Sequence, residues 1–387
     1  MGSPYTPGAG VPPPLLVGRD QARARAVELF ARTANFGRPG RSPLVFTGMP
    51  GVGKTVLLRA VAGEAAAQGF LVASVTVDRR DSLVGRIATA IAAAMEPLQP
   101  SMSTRWRRWR SALGRLPVQL SAPETTIAHP PQHARDPMAA DRDATVALVA
   151  ESGRLARKDR AGLVLAFDDV LDGPEGDLAV VTAIAQELGD APLVLLGAGL
   201  PQTPQRLMRA GSSAARFSFH LLESFTPAEA TVALLVPASA FEVRWDQDAA
   251  EHVLAAAGGA PFLLQRCADA AWRAAAPAPG GRIRFRAARA GVAAAVHELH
   301  DGMFRGGWNR ASPLERQYLV AMARHLAADG TAGTGPVAAA LGRPLTHLSY
   351  VRTRLLNKGL IRAAGYGRIA FSLPGFEDFV MIEAGER

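Results

Sequence analysis

The segment Gly48-Met49-Pro50-Gly51-Val52-Gly53-Lys54-Thr55 constrains the fold of this chain more than any other feature. It follows a short apolar run, Pro43–Thr47, and precedes a stretch with helical spacing from Val56 to Gln68. Glycines at this spacing let backbone N–H groups wrap a phosphate, and the following helix adds its positive N-terminal end. Lys54 is predicted to neutralise the outer phosphates, and the Thr55 hydroxyl to bind Mg²⁺. The sequence therefore predicts an ATP-binding loop that extends from Gly48 to Val56.

A second apolar run, Leu163–Phe167, ends in the acids Asp168 and Asp169. A phosphate loop needs a second Mg²⁺ contact from an acid at the end of a neighbouring strand. We predict that Asp168 holds Mg²⁺ through water and that Asp169 positions or activates the attacking water. The alternative is that the two acids simply open a turn before Gly173-Pro174.

Five short apolar runs alternate with stretches of helical periodicity, and this alternation is typical of a parallel α/β fold. We expect a five-stranded parallel sheet with helices on both faces. The predicted strands are Pro43–Thr47, Phe70–Val77, Leu163–Phe167, Pro192–Leu196 and Phe217–Leu221.

The length of 387 residues predicts two or three domains. Residues 1–14 hold five prolines and three glycines, which favours a disordered tail. We expect an ATPase core over 15–225, interrupted by a basic insertion at about 99–141. Beyond Thr226 no further strand is expected before the C-terminal domain, so 226–305 is predicted to be a helical lid and 306–387 a separate domain.

The C-terminal segment has the order helix, short helix, helix, hairpin, which is typical of a winged helix-turn-helix. On its third predicted helix, Leu345–Lys358, apolar and polar side chains fall on different faces. The polar face predicts contacts with duplex DNA, and an arginine on the wing would lie near phosphate. A module that contacts protein or packs internally remains the alternative. The candidate DNA contacts are His347, Tyr350, Arg354, Lys358 and Arg368.

The run Arg105-Trp106-Arg107-Arg108-Trp109-Arg110 predicts a helix with a tryptophan stripe that continues to Leu113 and Leu116. Such a helix could meet nucleic acid, anionic lipid or a partner protein. The alternative is that the stripe docks on its own domain and leaves a solvated basic rim.

Together these motifs resemble those of AAA+/STAND P-loop ATPases, especially origin-recognition-like and bacterial or archaeal regulatory members with a C-terminal winged helix. Val17-Gly18-Arg19-Asp20 resembles the Gly-Arg-acid motif of that group, which implies that Gly18 and Arg19 lie near the adenine. Gly259-Ala260-Pro261 resembles the lid motif, which implies that Pro261 lies beside the nucleotide. Arg216-Phe217 resembles the arginine-finger pair, which implies a catalytic contact to a neighbouring subunit; an ordinary surface arginine is the alternative.

Departures from the family pattern predict a slow switch. Most AAA+ members have Glu where Asp169 stands, and the strand Leu195–Leu200 lacks the polar residue that contacts the γ-phosphate in relatives. We therefore expect a slowly hydrolysing regulatory ATPase, with ATP and Mg²⁺ as ligands, whose nucleotide state controls a DNA-binding winged helix. The alternative is a DNA-binding or protein-interaction scaffold in which ATP is structural.

Composition adds weaker expectations. The net charge of +9 suits a nucleic-acid or acidic-membrane partner, and the chain could also bind a partner protein or self-associate. Only one cysteine and no predicted transmembrane segment or signal peptide lead us to expect a cytoplasmic protein. Lysine is rare among the 43 basic residues, which makes the lysine of the phosphate loop more informative.

Overall fold

A computed structural model describes residues 2–8, 10–37, 42–76, 82–98, 103–116, 137–169, 173–187, 191–211 and 215–386, with side chains of the 137–169 segment from residue 141. The chain divides into two compact units. The helical unit comprises Met1–Gly18, Met49–Gly53 and Leu222–Arg387, and the sheet unit comprises Arg19–Gly48 and Lys54–Leu221. Of the predicted insertion at 99–141, residues 99–102 and 117–136 lie outside the described parts, as does Val77 at the end of a predicted strand.

The sheet unit confirms the predicted five-stranded parallel α/β sheet. The strand order is β2-β3-β4-β1-β5, and β1 pairs with β4, β2 with β3 and β3 with β4 in parallel register. β1, β3 and β4 are buried along their whole length, because helices cover both faces of the central sheet. The elements are α1 (Asp20–Phe36), β1 (Leu44–Gly48), α2 (Lys54–Ala67), β2 (Phe70–Thr76), α3 (Leu83–Met95), α4 (Thr104–Leu113), α5 (Pro137–Asp159), β3 (Gly162–Asp168), α6 (Glu175–Glu187), β4 (Leu193–Gly199), α7 (Thr203–Ala210) and β5 (Ser218–Leu222).

The first part of the helical unit is a helical layer with one addition that periodicity missed. The expectation that no strand lies between Thr226 and the C-terminal domain is wrong, because β6 and β7 form a short parallel pair. Two-residue strands carry too few side chains to produce an alternating pattern. The elements are α8 (Pro227–Ser239), β6 (Arg244–Trp245), α9 (Gln247–Ala257), α10 (Pro261–Ala275), β7 (Arg282–Ile283), α11 (Phe285–Leu299), a π-helical segment (His300–Phe304) and α12 (Arg305–Arg310).

The prediction of a disordered tail over 1–14 is wrong for its first residues. Tyr5 is only 3% exposed, and its hydroxyl donates to the Leu234 carbonyl over 2.5 Å. The indole of Trp245 donates to the same hydroxyl over 2.9 Å, and Trp272 packs edge-on against the Tyr5 ring. A proline-rich segment can be ordered when a single aromatic anchor finds a deep, hydrogen-bonded site.

The C-terminal part of the helical unit contains three helices, a three-stranded sheet in the order β8-β10-β9, and a last helix. Ser312 and Glu315 form a capping box at the start of α13, with Pro313 at the first helical position. The elements are α13 (Pro313–Arg324), β8 (Thr331–Gly333), α14 (Thr334–Ala340), α15 (Leu345–Asn357), β9 (Ile361–Ala363), β10 (Arg368–Phe371) and α16 (Phe376–Glu383). No helix in the described part of the chain is long and apolar enough to span a membrane.

Candidate nucleotide-binding site

The predicted phosphate loop connects the end of β1 to the first turn of α2. Gly51 and Gly53 have φ angles of 82° and 93°, a region that side chains with a Cβ rarely adopt. The Val52 N–H reaches the Met49 carbonyl over 3.4 Å, so the chain turns tightly before the helix begins. This conformation requires glycine where the motif has it, and the chain continues from the loop directly into α2, whose N-terminal backbone N–H groups attract anions.

Lys54 occupies the first position of α2 and is largely buried, with 8% of its surface exposed. Its Nζ donates to the carbonyl of Gly48 over 2.9 Å. A buried ammonium requires nearby acceptors, and a polyphosphate would supply stronger ones than a carbonyl. The side chain is therefore turned toward its own loop, as a phosphate ligand would require.

Thr55 and Asp168 approach each other inside the sheet unit. The Thr55 hydroxyl donates to Asp168 Oδ1 over 2.9 Å. A hydroxyl and a carboxylate are oxygen donors of the kind that Mg²⁺ prefers, and Mg²⁺ usually keeps several waters, so the pair fits a site in which Asp168 acts through water. Burial raises the pKa of Asp168 above its usual value, and the hydrogen bond from Thr55 lowers it only in part. A divalent cation beside this desolvated carboxylate would compensate its charge.

Asp169 differs from Asp168 in both exposure and backbone. It lies at the end of β3 with an exposed side chain and a φ of 58°. Left-handed backbone is uncommon for residues other than glycine, although aspartate tolerates it better than most. The turn separates the two carboxylates, so that one is buried beside Thr55 and the other is accessible to solvent.

The end of β4 carries no polar side chain. Gly197, Ala198, Gly199 and Leu200 are all buried, and a Cβ on Gly199 would lie 2.4 Å from the Thr203 hydroxyl oxygen. A side chain at Gly199 would therefore clash with Thr203, and none of the four residues offers a polar side chain that could contact phosphate. Farther along the sheet unit, Arg216 is exposed and makes no described ion pair.

The two residues predicted near adenine have different environments. Gly18 has a φ of 65°, and a Cβ there would lie 2.2 Å from Glu229 Oε1, so only glycine fits. Arg19 is buried at the start of α1. Burial lowers the pKa of His220, and the positive charges of Arg25 and Arg19 lower it further.

Within the helical unit, the loop segment Met49–Gly53 packs against residues from two distant parts of the chain. The Phe262 N–H donates to the Gly51 carbonyl over 3.1 Å, immediately after Pro261 begins α10. A Cβ built on Gly51 would lie 3.4 Å from Leu373 Cδ2, in the segment between β10 and α16. Sequence analysis did not predict the contact with Leu373, since no local pattern links two segments more than 300 residues apart.

A cavity of about 240 Å³ adjoins this contact. Its walls come from the loop, from the residues around the predicted lid motif, and from the C-terminal sheet; they include Met49, Val52, Gly258, Ala260, Arg362 and Glu377. Gly259 lies in sequence between the wall residues Gly258 and Ala260; its carbonyl accepts from the Phe225 N–H over 2.8 Å, and its φ is 76°. The phosphate loop and the C-terminal sheet therefore line the same cavity.

Three of the predicted DNA contacts lie on α15 and Lys358 caps its end, but two of these four have intramolecular partners. His347, Tyr350 and Arg354 are exposed on α15, whereas Leu348 is buried on its opposite side. Arg354 Nε lies 3.0 Å from Glu315 Oε1, and Lys358 Nζ donates to Glu315 Oε2 over 2.5 Å.

Arg368, on β10, is exposed and pairs with Asp329 over 2.9 Å. Its guanidinium therefore also has an intramolecular partner.

Glu315 is a residue that the sequence analysis missed. Only 2% of its side chain is exposed, and burial alone would raise its pKa. The hydrogen bond from Lys358, the capping interaction with Ser312 and the charge of Arg354 outweigh burial, so the pKa lies below its ordinary value. The spacing Ser312-x-x-Glu315 indicated the capping box but not the buried ion pair.

The parallel sheet and its phosphate loop define a P-loop ATPase fold. Residues 15–196 match the AAA ATPase domain family, and residues 301–380 match a family described as a domain of unknown function, DUF8462. No curated protein matches the chain.

Among solved structures, a Walker-type ATPase of Pyrococcus abyssi aligns with a TM-score of 0.62 and 13% identity, covering 94% of this chain and 96% of that one. At this identity the likeness shows the fold. The Orc1 protein of Aeropyrum pernix in complex with DNA aligns at a TM-score of 0.47 and 19% identity, covering 96% of this chain and 94% of that one. The RuvB Holliday junction branch migration motor of Thermotoga maritima aligns at 0.44 and 16%, covering 92% of each chain.

Proposed function

We propose that this chain is a slowly hydrolysing regulatory ATPase of the AAA+/STAND type, in which the nucleotide state of the phosphate loop controls the C-terminal module. The observation that carries the proposal is the packing of Gly51 against Phe262 and Leu373. A loop that reshapes itself around phosphate would change the space available to Leu373. Since packed interfaces tend to switch between discrete arrangements, a small change in the loop can be amplified.

In this proposal the residues of the site have separate roles in binding and hydrolysis. Lys54 binds the outer phosphates of ATP, and the backbone N–H groups from Gly51 to Thr55 bind the inner ones. Thr55 and Asp168 hold Mg²⁺, which neutralises phosphate charge. Asp169 orients the attacking water from its exposed position. Arg19 and Pro261 border the nucleoside.

Two features support slow turnover. The apolar end of β4 offers no donor to the γ-phosphate, and Asp169 has a shorter reach than the glutamate of most AAA+ relatives. Transition-state stabilisation by a preorganised donor contributes much of the rate in enzymes of this chemistry, so its absence lowers the rate. Arg216 is our proposed donor in trans, because it is exposed and could reach the nucleotide of a second copy.

The C-terminal part is proposed to be a winged-helix module that binds duplex DNA. The order of α13, α14, α15 and the β9-β10 hairpin supports this, as do the exposed His347 and Tyr350 on α15. Glu315 would act as a positioning group, since it contacts both Arg354 on α15 and Lys358 at the end of that helix.

Phosphate release with and without duplex DNA tests the regulatory function against the second candidate, a scaffold with structural ATP. The full chain is incubated with ATP and Mg²⁺, and released phosphate is followed over time. We expect slow basal release that duplex DNA stimulates several-fold, because occupation of the module would feed back on the loop. Tight DNA binding with no release under either condition would favour the scaffold.

A further inference from the structure

The exposed side of α4 carries a dense cluster of positive charge outside the nucleotide site. We name it the arginine face; it consists of Arg105, Arg107, Arg108 and Arg110 on α4 and Arg115 just beyond its end, all of them exposed. No acidic residue occurs between Glu96 and Arg115 in the sequence. Within the described part of the chain none of the five forms an ion pair, and the one described side-chain hydrogen bond is a weak contact from Arg107 to Thr104 over 3.4 Å.

The apolar side of α4 is fully used in the core of the sheet unit. Trp106 and Trp109 are buried and pack edge-on, with ring centroids 5.3 Å apart. The Trp109 indole donates to the Ser152 hydroxyl over 2.8 Å, and that hydroxyl donates to the Leu148 carbonyl over 2.7 Å. The tryptophan stripe therefore docks on its own domain, and it cannot stack on bases or enter a membrane unless α4 separates from the core of the sheet unit.

The positive charges of the arginine face repel one another and destabilise α4. Arg105 and Arg108, and likewise Arg107 and Arg110, are three residues apart on the helix, and like-charged pairs at this spacing destabilise a helix. Elsewhere in the sheet unit several arginines have acidic partners, such as Arg23 with Glu64 and Arg154 with Glu151. A polyanionic ligand would remove the repulsion on α4.

We propose that the arginine face binds the phosphate backbone of duplex nucleic acid. A membrane is disfavoured because an interfacial helix must bury an apolar face in lipid, and α4 has none left. An acidic protein is disfavoured because protein interfaces centre on buried aromatic or apolar anchors, and the exposed side of α4 is almost entirely arginine. Strongly positive, polar surfaces are typical of nucleic-acid interfaces, and guanidinium groups bind phosphate through paired hydrogen bonds.

This surface would bind without sequence preference. It offers phosphate contacts but no side chain for base stacking, so binding would be driven by counterion release and would weaken steeply with salt. The inference does not depend on ATP binding or on the C-terminal module. α4 belongs to the sheet unit, and its buried tryptophans hold the helix with the arginines on its exposed side.

The test compares two triple variants of the full chain, both of which remove three positive charges. The first is Arg107→Ala, Arg108→Ala and Arg110→Ala; the matched control is Arg284→Ala, Arg286→Ala and Arg289→Ala, at exposed positions of the helical unit. Binding to two fluorescent 30-base-pair duplexes of unrelated sequence is measured by anisotropy across a salt series. We expect the first variant to lose about 10- to 100-fold in affinity and the slope of log K against log salt to fall by about 2–3.

The control should change affinity far less, and both duplexes should behave alike. An equal loss in both variants would overturn the proposal, because net charge alone would then explain binding. Unchanged DNA binding in the first variant would also overturn it. Binding to vesicles containing phosphatidylserine and to an acidic peptide is measured with the same variants, and a loss of affinity for one of these but not for DNA would overturn it as well. Alanine favours helix, but if the first variant does not fold, Arg→Gln at the same three positions gives the same readout.

Discussion

Replacing Lys54 by alanine should reduce ATP affinity by at least about 100-fold, because charge-assisted hydrogen bonds to phosphate contribute about 1.5–3 kcal/mol each and Lys54 can make more than one. The side chain is buried and turned toward the Gly48 carbonyl, which holds its charge at the start of the loop. Isothermal titration calorimetry of the full chain with ATP and Mg²⁺ measures the loss directly.

Lys158 provides a matched control for this variant, because it is one of the two other lysines in the chain. Lys158 is exposed at the end of α5, and Lys158→Ala removes the same charge far along the chain from the loop. We expect its ATP affinity to remain within about two-fold of the original, as surface substitutions usually change little. Unchanged affinity in Lys54→Ala would remove the loop from the ATP site.

Replacing Asp169 by asparagine should lower the rate of ATP hydrolysis by about 100-fold or more, which is the usual contribution of a positioned general base. Asparagine keeps the size of the side chain and tolerates the left-handed backbone at φ 58°, so the turn after β3 should survive. ATP affinity should stay nearly unchanged, because Asp169 is proposed to act on water rather than on phosphate. Single-turnover phosphate release measures the chemical step.

Asp159→Asn is the matched control for this second variant, since Asp159 is an exposed acid at the end of α5. Its hydrolysis should equal that of the original chain. If Asp169→Asn hydrolyses ATP at the original rate, Asp169 does not activate water. If it loses ATP affinity instead, the residue serves the fold of the loop region.

The parts of the fold that sequence predicted are those with strong local patterns. The loop from Gly48 to Thr55 combines glycines at fixed positions with a flanking strand and helix, and the apolar run before Asp168 could only be a buried strand in that context. Both patterns are short in sequence, so their physical reasons are visible without the rest of the chain. The tryptophan stripe of α4 was also predicted from its local spacing. Its docking on its own domain was one of two alternatives that the sequence left open.

The features that sequence missed depend on contacts between distant residues. Tyr5 is anchored by Leu234 and Trp245, more than 200 residues away, and the composition of its own segment favours disorder. Glu315 was visible as a helix cap, whereas its ion pairs with α15 depend on how α13 and α15 pack. The approach of Leu373 to Gly51 is also tertiary.

Hydrogen–deuterium exchange of the segment around Leu373 tests the central claim most directly, because that segment contacts the loop without belonging to it. Exchange at residues 372–376 is measured in the nucleotide-free chain, with ADP, and with a non-hydrolysable ATP analogue, each with Mg²⁺. The account predicts different protection in the ADP and ATP-analogue states, and no nucleotide effect in Lys54→Ala. Identical exchange in all three states of the original chain, at nucleotide concentrations that calorimetry shows to be saturating, would contradict control of the C-terminal module by the phosphate loop.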